Sequence, residues 1–375
     1  MKSFKILPIL GLSFGLLFSS SASAAIKPVE RYDISDVGPN HRFYDSIERF
    51  VYSDIVDGYV ESETIEEDGE IYDYSYISIR PEEKINRAQF TKILVSALSL
   101  KTGTNVKEFP DVKASKWYYE PVRIASSHGI VAGGSNGKFN PDAHITRDQM
   151  AAMIYRAFSN TVAFKAPTKT FKDVPPTNFA YEAIVKSAAN GIIQGYGDTF
   201  KPHDLATRGQ AIAMIDRALH QEAGSEADQT AIKTVVNRNV QEEMRLMKEQ
   251  NTAGLKALYQ DTATGYYLSE SLDTVELPGD IEDMGGTFTI EQIGTHEINP
   301  VTVNKRFAKV RMDNLKYKVS FSSPDLSFSM NVDASGTAYL KKGMDGKWKI
   351  YNLVLDNEDI QDDWEAEISA AANAS

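Results

Sequence analysis

Apolar positions recur along the chain with two different periods, and the change falls near Gly286. Before it the steps are three and four residues. Phe90, Ile93, Leu94 and Ala97 form one such stripe, Met150, Met153, Ile154 and Ala157 a second, and Ala211, Met214, Ile215 and Leu219 a third. Each predicts one helix with a single buried face. A longer stripe, Ile232, Val235, Val236, Val240, Met244 and Met247, predicts another helix, and Leu255, Leu258 and Tyr259 continue a further helical stretch. Beyond Gly286 the runs TFTIEQIGTH, KRFAKVRM, LKYKVSF, LSFSMNV, TAYLKK and KWKIYNLVL alternate and predict strands, with Ser335-Gly336 and Asp345-Gly346 as hairpin turns. Helices followed by a meander predict an α+β domain over 230–357. The stretch 221–229, QEAGSEADQ, reads as a linker in front of it.

The first three stripes belong to a repeat. Residues 109–150 and 171–211 share an Asp-Val pair, an aromatic six residues on, a glycine closing a helix and a Thr-Arg-x-Gln opening the next. Asp36-Val37, Phe43 (seven residues on rather than six), Gly58 and Asn86-Arg87-Ala88-Gln89 hold the corresponding places in an earlier copy. The boundaries read as 30–100, 105–160 and 167–220. Asp36 to Asp111 and Gly58 to Gly133 are both 75 residues, and Asp111 to Asp173 and Gly133 to Gly195 are both 62. Gly58 to Arg87 is 29 residues against 14 for Gly133 to Arg147, so the first copy carries an acidic, Tyr-rich insertion near Glu61 to Tyr76, expected to be a surface loop. Each copy predicts helix, loop, helix. Pro121 is placed to start the first helix of the second copy and Gly129 to end it. Asn86 with Gln89, Thr146 with Gln149 and Thr207 with Gln210 are capping boxes for the second helices. One copy cannot bury its own stripe, so the three are expected to fold as one body.

Arg87, Arg147 and Arg208 directly follow these N-caps, at the positive end of the helix dipole. A cation there is unfavourable by up to about 1 kcal/mol. Three in register call for an anion. It is either an internal carboxylate, with Asp36, Asp111 and Asp173 the candidates, or the carboxylate or phosphate of a ligand.

The FxDV opening, the aromatic before the first helix, the Gly-Ile-Val/Ile-x-Gly turn and the (I/A)-T-R-x-x helix start occur in order, and with them residues 30–220 resemble S-layer homology domains. That resemblance implies an all-α pseudo-threefold bundle of three repeats that binds secondary cell-wall polysaccharide, with terminal N-acetylmannosamine bearing a 4,6-linked pyruvate ketal as the expected ligand. It further implies that Arg87, Arg147 and Arg208 bind the pyruvate carboxylate. Asp36, Asp111 and Asp173 would accept hydrogen bonds from sugar hydroxyls or orient the groove, Trp117 would stack on the sugar ring, and Gly58, Gly133 and Gly195 would let backbone approach the ligand. Each groove would draw on two repeats. The sequence departs from the family pattern where Phe43 and Phe179 replace Trp, where Asn86 replaces Thr, and where Gln closes the T-R-A-E motif. The grooves of Arg147 and Arg208 are therefore the ones expected to work.

Charge and composition narrow the partners. The chain has 375 residues, no cysteine and a formal charge of −12. Disulfides and thiolate chemistry are excluded, and so is nucleic-acid binding through a general positive field. Lys2 and Lys5, an apolar run from Ile6 to Phe18 and Ala22-Ser23-Ala24 read as a signal peptide cleaved after residue 24. No later segment is long and apolar enough to span a bilayer. An exported protein held at the surface of a Gram-positive-type bacterium by its repeats is the implied picture.

The C-terminal region, ending in GKWKIYNLVLD, resembles the nuclear transport factor 2-like cone fold, with helices packed on a curved antiparallel sheet. It shows no HExxH, G-x-S-x-G, P-loop, G-x-G-x-x-G or EF-hand pattern, and no cofactor, metal or catalytic residue is implied. His296 reads as a strand surface residue, Asp280, Glu282 and Asp283 as a solvated turn, and the acidic tail, 358–375 with its approach from Asp356, as a solvated end. The expected role is therefore anchoring without catalysis. The alternatives are an anchored enzyme or receptor, marked by a paired carboxylate and tyrosine in a deep apolar pocket, and a subunit of the S-layer lattice.

Overall fold

A computed structural model describes residues 26–67, 70–134, 136–276, 287–324 and 327–357. The signal segment, the Asp280–Asp283 turn and the tail from 358 onward lie outside these. The described chain divides into two compact units. One comprises Asp33–Gly224 with Asn304–Arg306, and the other residues 26–32, Ser225–Val303 and from Phe307 onward.

The first unit holds six helices: α1 (Tyr44–Tyr52), α2 (Arg87–Ala97), α3 (Tyr119–Ser127), α4 (Arg147–Phe158), α5 (Tyr181–Ala189) and α6 (Arg208–Leu219). They form three helix–loop–helix segments. Helices α2, α4 and α6 pack on one another in all three pairs, and each first helix lies against the second helix of the preceding segment: α3 on α2, α5 on α4 and α1 on α6. The stripes explain this, because Phe90, Leu94, Met150, Ile154, Ala211 and Ile215 are fully buried. Between the helices the main chain closes a ring. Ile85 N donates to Ala206 O, Ala206 N to Ile145 O, and Ile145 N to Ile85 O, at 2.9–3.1 Å. Each segment thus supplies one link, and burial of these amides costs nothing because each finds a carbonyl in the next segment.

The insertion is a β-hairpin, not a loop: β1 (Tyr59–Glu67) pairs antiparallel with β2 (Glu70–Ser78). Its alternating Tyr, Ile and Val positions suit a pleated ribbon, a signal masked in the sequence by the density of carboxylates.

The second unit begins with α7 (Glu226–Lys248), α8 (Thr252–Thr262) and α9 (Gly265–Glu276). Helix α7 starts inside the stretch read as a linker, because Ser225 caps it and Asp228 completes the capping box. The Asp228 carboxylate also accepts hydrogen bonds from Lys342 Nζ at 2.7 Å and Trp348 Nε1 at 3.0 Å. Burial works to raise its pKa, but these donors prevail and hold it well below the usual carboxylate range. Seven strands follow: β3 (Thr287–Ile293), β4 (Glu297–Val303), β5 (Phe307–Asp313), β6 (Lys316–Ser322), β7 (Ser327–Asp333), β8 (Gly336–Lys342) and β9 (Trp348–Leu355).

The expected meander separates into two antiparallel sheets, ordered β3-β6-β7 and β4-β5-β8-β9. Ser335-Gly336 is therefore no hairpin turn but a crossing between sheets. A Cβ on Gly336 would sit 2.4 Å from Val354 O, so glycine is what lets the chain cross close to β9. Strand β4 was not legible because Pro300 interrupts its pattern. It lies at a sheet edge with a register shift at Pro300/Thr302, where a missing N–H is tolerated. Val236, Tyr259, Tyr267, Val310, Val319, Leu340 and Ile350 are at the centre of the core.

Candidate functional site

The three arginines enter the loops of neighbouring segments in one cyclic pattern. Arg87 Nε donates to Phe139 O at 2.8 Å, Arg147 Nε to Phe200 O at 2.9 Å, and Arg208 Nε to Ile79 O at 2.7 Å. Main-chain bonds run alongside: the amides of Arg87, Arg147 and Arg208 donate to Ala143 O, Asp204 O and Glu83 O. The helix starts are thus capped by carbonyls of the next segment, which also offset the unfavourable placement of a cation there. Arg147 and Arg208 are only 4% and 6% exposed, whereas Arg87 is part-exposed. Burial lowers all three guanidinium pKa values from the ordinary range. Among the described residues, none of the three forms an ion pair; their partners are carbonyl oxygens, one glutamine and aromatic rings.

The candidate internal anions are occupied elsewhere. Asp36 accepts from the amides of Ile79 and Arg80, Asp111 from Phe139 and Asn140, and Asp173 from Phe200 and Lys201, all at 2.6–2.9 Å. Each carboxylate therefore fixes the loop whose carbonyl receives an arginine. For Asp111 and Asp173, burial works to raise the pKa, but the paired amide bonds prevail and hold it low. The loop glycines are crowded from inside the fold: a Cβ on Gly133, at φ +78°, would meet Phe109 at 2.6 Å, and one on Gly195 would meet Phe171 at 2.3 Å. Gly58 faces Ile77 in the same way.

The three surroundings differ. At Arg147 the guanidinium lies 5.1 Å from the Tyr196 ring, and at Arg208 it lies 4.9 Å from the Tyr59 ring. The hydroxyls of these tyrosines accept from Gln210 and Gln89. In the middle segment the corresponding residue is Gly134, and Gln149 Oε1 instead accepts from Arg87 Nη1 at 3.2 Å. A cleft of about 420 Å³ opens there, lined by Arg87, Gly133, Gly134, His144, Gln149, Met153, Arg156 and Phe179. It draws on all three segments rather than two, and it lies at Arg87 rather than at the two arginines favoured from the sequence. Arg156 brings a second guanidinium, which among the described residues donates only to Ile130 O, at 3.4 Å.

Of the aromatics, Phe179 is 65% exposed and lines this cleft, Trp117 is 56% exposed and lies against Tyr118, and Phe43 is buried. Arg156 and Arg217 each stand nine residues after a helix-start arginine, and Tyr59, Gly134 and Tyr196 share one place in the repeat. Both signals were present in the sequence and show their meaning only in three dimensions. Beside the hairpin lies a second cleft, of about 650 Å³, lined by Asp33, Asp36, Glu61, Glu63, Glu83, Tyr74, Tyr76 and Arg80. Its charge is negative, so it opposes anions near Arg208.

In the second unit, Glu243 is buried and accepts from Tyr259 Oη at 2.6 Å. Burial raises its carboxyl to about 7, and the tyrosine hydrogen bond only partly offsets this. A carboxylate–tyrosine pair is therefore present, but the adjoining cavity, between Asn239, Met244, Met312 and Tyr317, holds about 20 Å³. That is room for roughly one water. His296 is bonded to Asn237 and Gln292, and burial lowers its pKa. Among the described residues no group of three or more His, Asp or Glu is placed to hold a metal, and no helix is long and apolar enough to cross a membrane.

The S-layer homology domain model matches residues 108–151 and 170–212. An endoglucanase of Bacillus sp. (strain KSM-635) is 32% identical over 39% of this chain and 16% of its own length. A cellulosome-anchoring protein of Acetivibrio thermocellus is 29% identical over 38% of this chain and 33% of its own. The S-layer protein sap of Bacillus anthracis is 26% identical over 41% and 19%. The chain spans a third or less of each of these relatives, so the likeness concerns a shared module. The two matched stretches are the segments built on α3–α4 and α5–α6, and it is these segments of the chain that match S-layer homology domains.

Proposed function

We propose that this chain is an exported protein that its repeats hold to the cell wall, and that the cleft at Arg87 binds an anionic group of the secondary cell-wall polysaccharide. The carrying observation is two guanidiniums, Arg87 and Arg156, facing one open cleft with no carboxylate paired to either among the described residues. In a chain of formal charge −12, an anion finds attraction only where cations are concentrated locally. A planar guanidinium is suited to a carboxylate, and Phe179 offers an apolar face for a sugar ring. A pyruvate ketal on a terminal N-acetylmannosamine is the group we assign to this cleft. The cyclic hydrogen bonds and the packing of α2, α4 and α6 support reading Asp33–Gly224 as three S-layer homology repeats about a pseudo-threefold axis. The relatives named for cellulosome anchoring and for the S-layer support the surface assignment.

We read the C-terminal unit as a nuclear transport factor 2-like cone with a binding or structural role. Its cavity is filled by side chains, which favours this over an anchored enzyme. The test is co-sedimentation of the full chain with purified Gram-positive sacculi, before and after chemical removal of the secondary polymer. Binding that disappears with the polymer is expected. Binding that persists on stripped sacculi would overturn the reading.

A further inference from the structure

The position after the loop glycine holds Tyr59, Gly134 and Tyr196 in the three segments, and it coincides with how exposed each arginine is. Where tyrosine stands, its ring lies about 5 Å from the guanidinium, its hydroxyl is tied to the capping-box glutamine, and the arginine is nearly buried. Where glycine stands, the glutamine turns to the arginine itself and a 420 Å³ cleft opens. We infer that this residue is the specificity-determining gate of each groove: tyrosine covers the arginine with its own ring and closes the groove to glycan, and glycine leaves it open.

The geometry permits exchange in both directions. Gly134 does not adopt a positive φ, so a side chain meets no backbone strain there. The nearest atom to a Cβ at 134 is Asn136 Oδ1 at 3.1 Å, the end of a flexible side chain that can move aside. Tyr196 is 45% exposed, so replacing it with glycine empties surface rather than core. Tyrosine at 134 would meet Arg87 as Tyr196 meets Arg147, a cation–π contact that competes directly with a ligand anion.

The gate rests on the anion-cleft reading, and the experiment separates the two. The full chain is bound to purified Gram-positive sacculi bearing their polymer, in five forms: wild type, Arg87→Ala, Gly134→Tyr, Arg87→Ala with Tyr196→Gly, and that double variant with Arg147→Ala added. Melting curves confirm that each is folded. Loss of one charge-assisted contact should weaken retention about tenfold or more. Arg87→Ala and Gly134→Tyr should both show this loss, Tyr196→Gly should restore most of it, and Arg147→Ala should cancel the restoration. If Arg87→Ala leaves retention unchanged, the anion-cleft reading fails. If Arg87→Ala weakens retention while Gly134→Tyr does not, or while Tyr196→Gly restores nothing, the gate alone is overturned. Gly134→Phe gives an independent check: it keeps the ring without the hydroxyl, and retention equal to wild type would likewise refute closure by the ring.

Discussion

Both units of this protein bury an ionisable group that, among the described residues, forms no ion pair, and they do so by different chemistry. The repeat unit buries guanidiniums, which do not give up their proton at any ordinary pH. It meets that demand with main-chain carbonyls and aromatic rings, leaving a permanent positive centre. The second unit buries the carboxyl of Glu243, which can take up a proton and lose its charge. The first arrangement attracts an anion at every pH. The second makes the unit's stability depend on pH. A buried charge therefore points to ligand binding only where protonation gives no way out and a path to solvent exists, as at Arg87.

The sharpest way to break the comparison is to remove the carboxyl's ability to titrate. The folded pKa of about 7 lies above the ordinary glutamate value of 4.5, so the protonated form is favoured by folding. Stability is fully present below about 4.5, falls as pH rises through 7, and then levels off. The difference amounts to about 3 kcal/mol, taking 1.36 kcal/mol per pKa unit. The opening free energy of α7 and α8, obtained from hydrogen exchange corrected for the intrinsic pH dependence of amide exchange, should fall between pH 5 and 8 in the wild type, and Glu243→Gln should flatten that slope. An equal slope in both proteins would assign the pH dependence elsewhere.

In the repeat unit, the corresponding structural test is Asp173→Ala. It strands the amides of Phe200 and Lys201 and loosens the carbonyl that receives Arg147. Loss of about 2 kcal/mol is expected in denaturant unfolding of the repeats, since part of this loop can be rehydrated. Smaller still is the cap at α2. Asn86 Oδ1 accepts from Gln89 N at 2.8 Å while Gln89 Oε1 accepts from Asn86 N, so Asn86→Ala should cost about 1 kcal/mol in the same measurement.

What the sequence made legible follows the same division. The stripes at Phe90, Met150 and Ala211 predicted α2, α4 and α6 because period and capping residues agree there. Register between copies placed Arg87, Arg147 and Arg208 at equivalent helix starts. The state of each groove was not legible, because it depends on residue 59, 134 or 196 in one segment reaching an arginine from another. That contact has no sequence period. The aspartates were open to three readings, as internal partners of the arginines, as acceptors from sugar hydroxyls or as groups that orient the groove, and their bonds to loop amides are visible only in the fold of residues 79–80, 139–140 and 200–201. In the second unit, alternation found most strands but could not say that β7 and β8 belong to different sheets. The buried Glu243 was hidden in the polar positions of a long helix.

The most direct test of the central claim is the affinity of the full chain for purified, soluble secondary polysaccharide, compared with that of Arg87→Ala. Weakening by about tenfold or more, with an unchanged melting curve, is the predicted result. Equal affinity in the two proteins would contradict it and return Arg87 to a purely structural role.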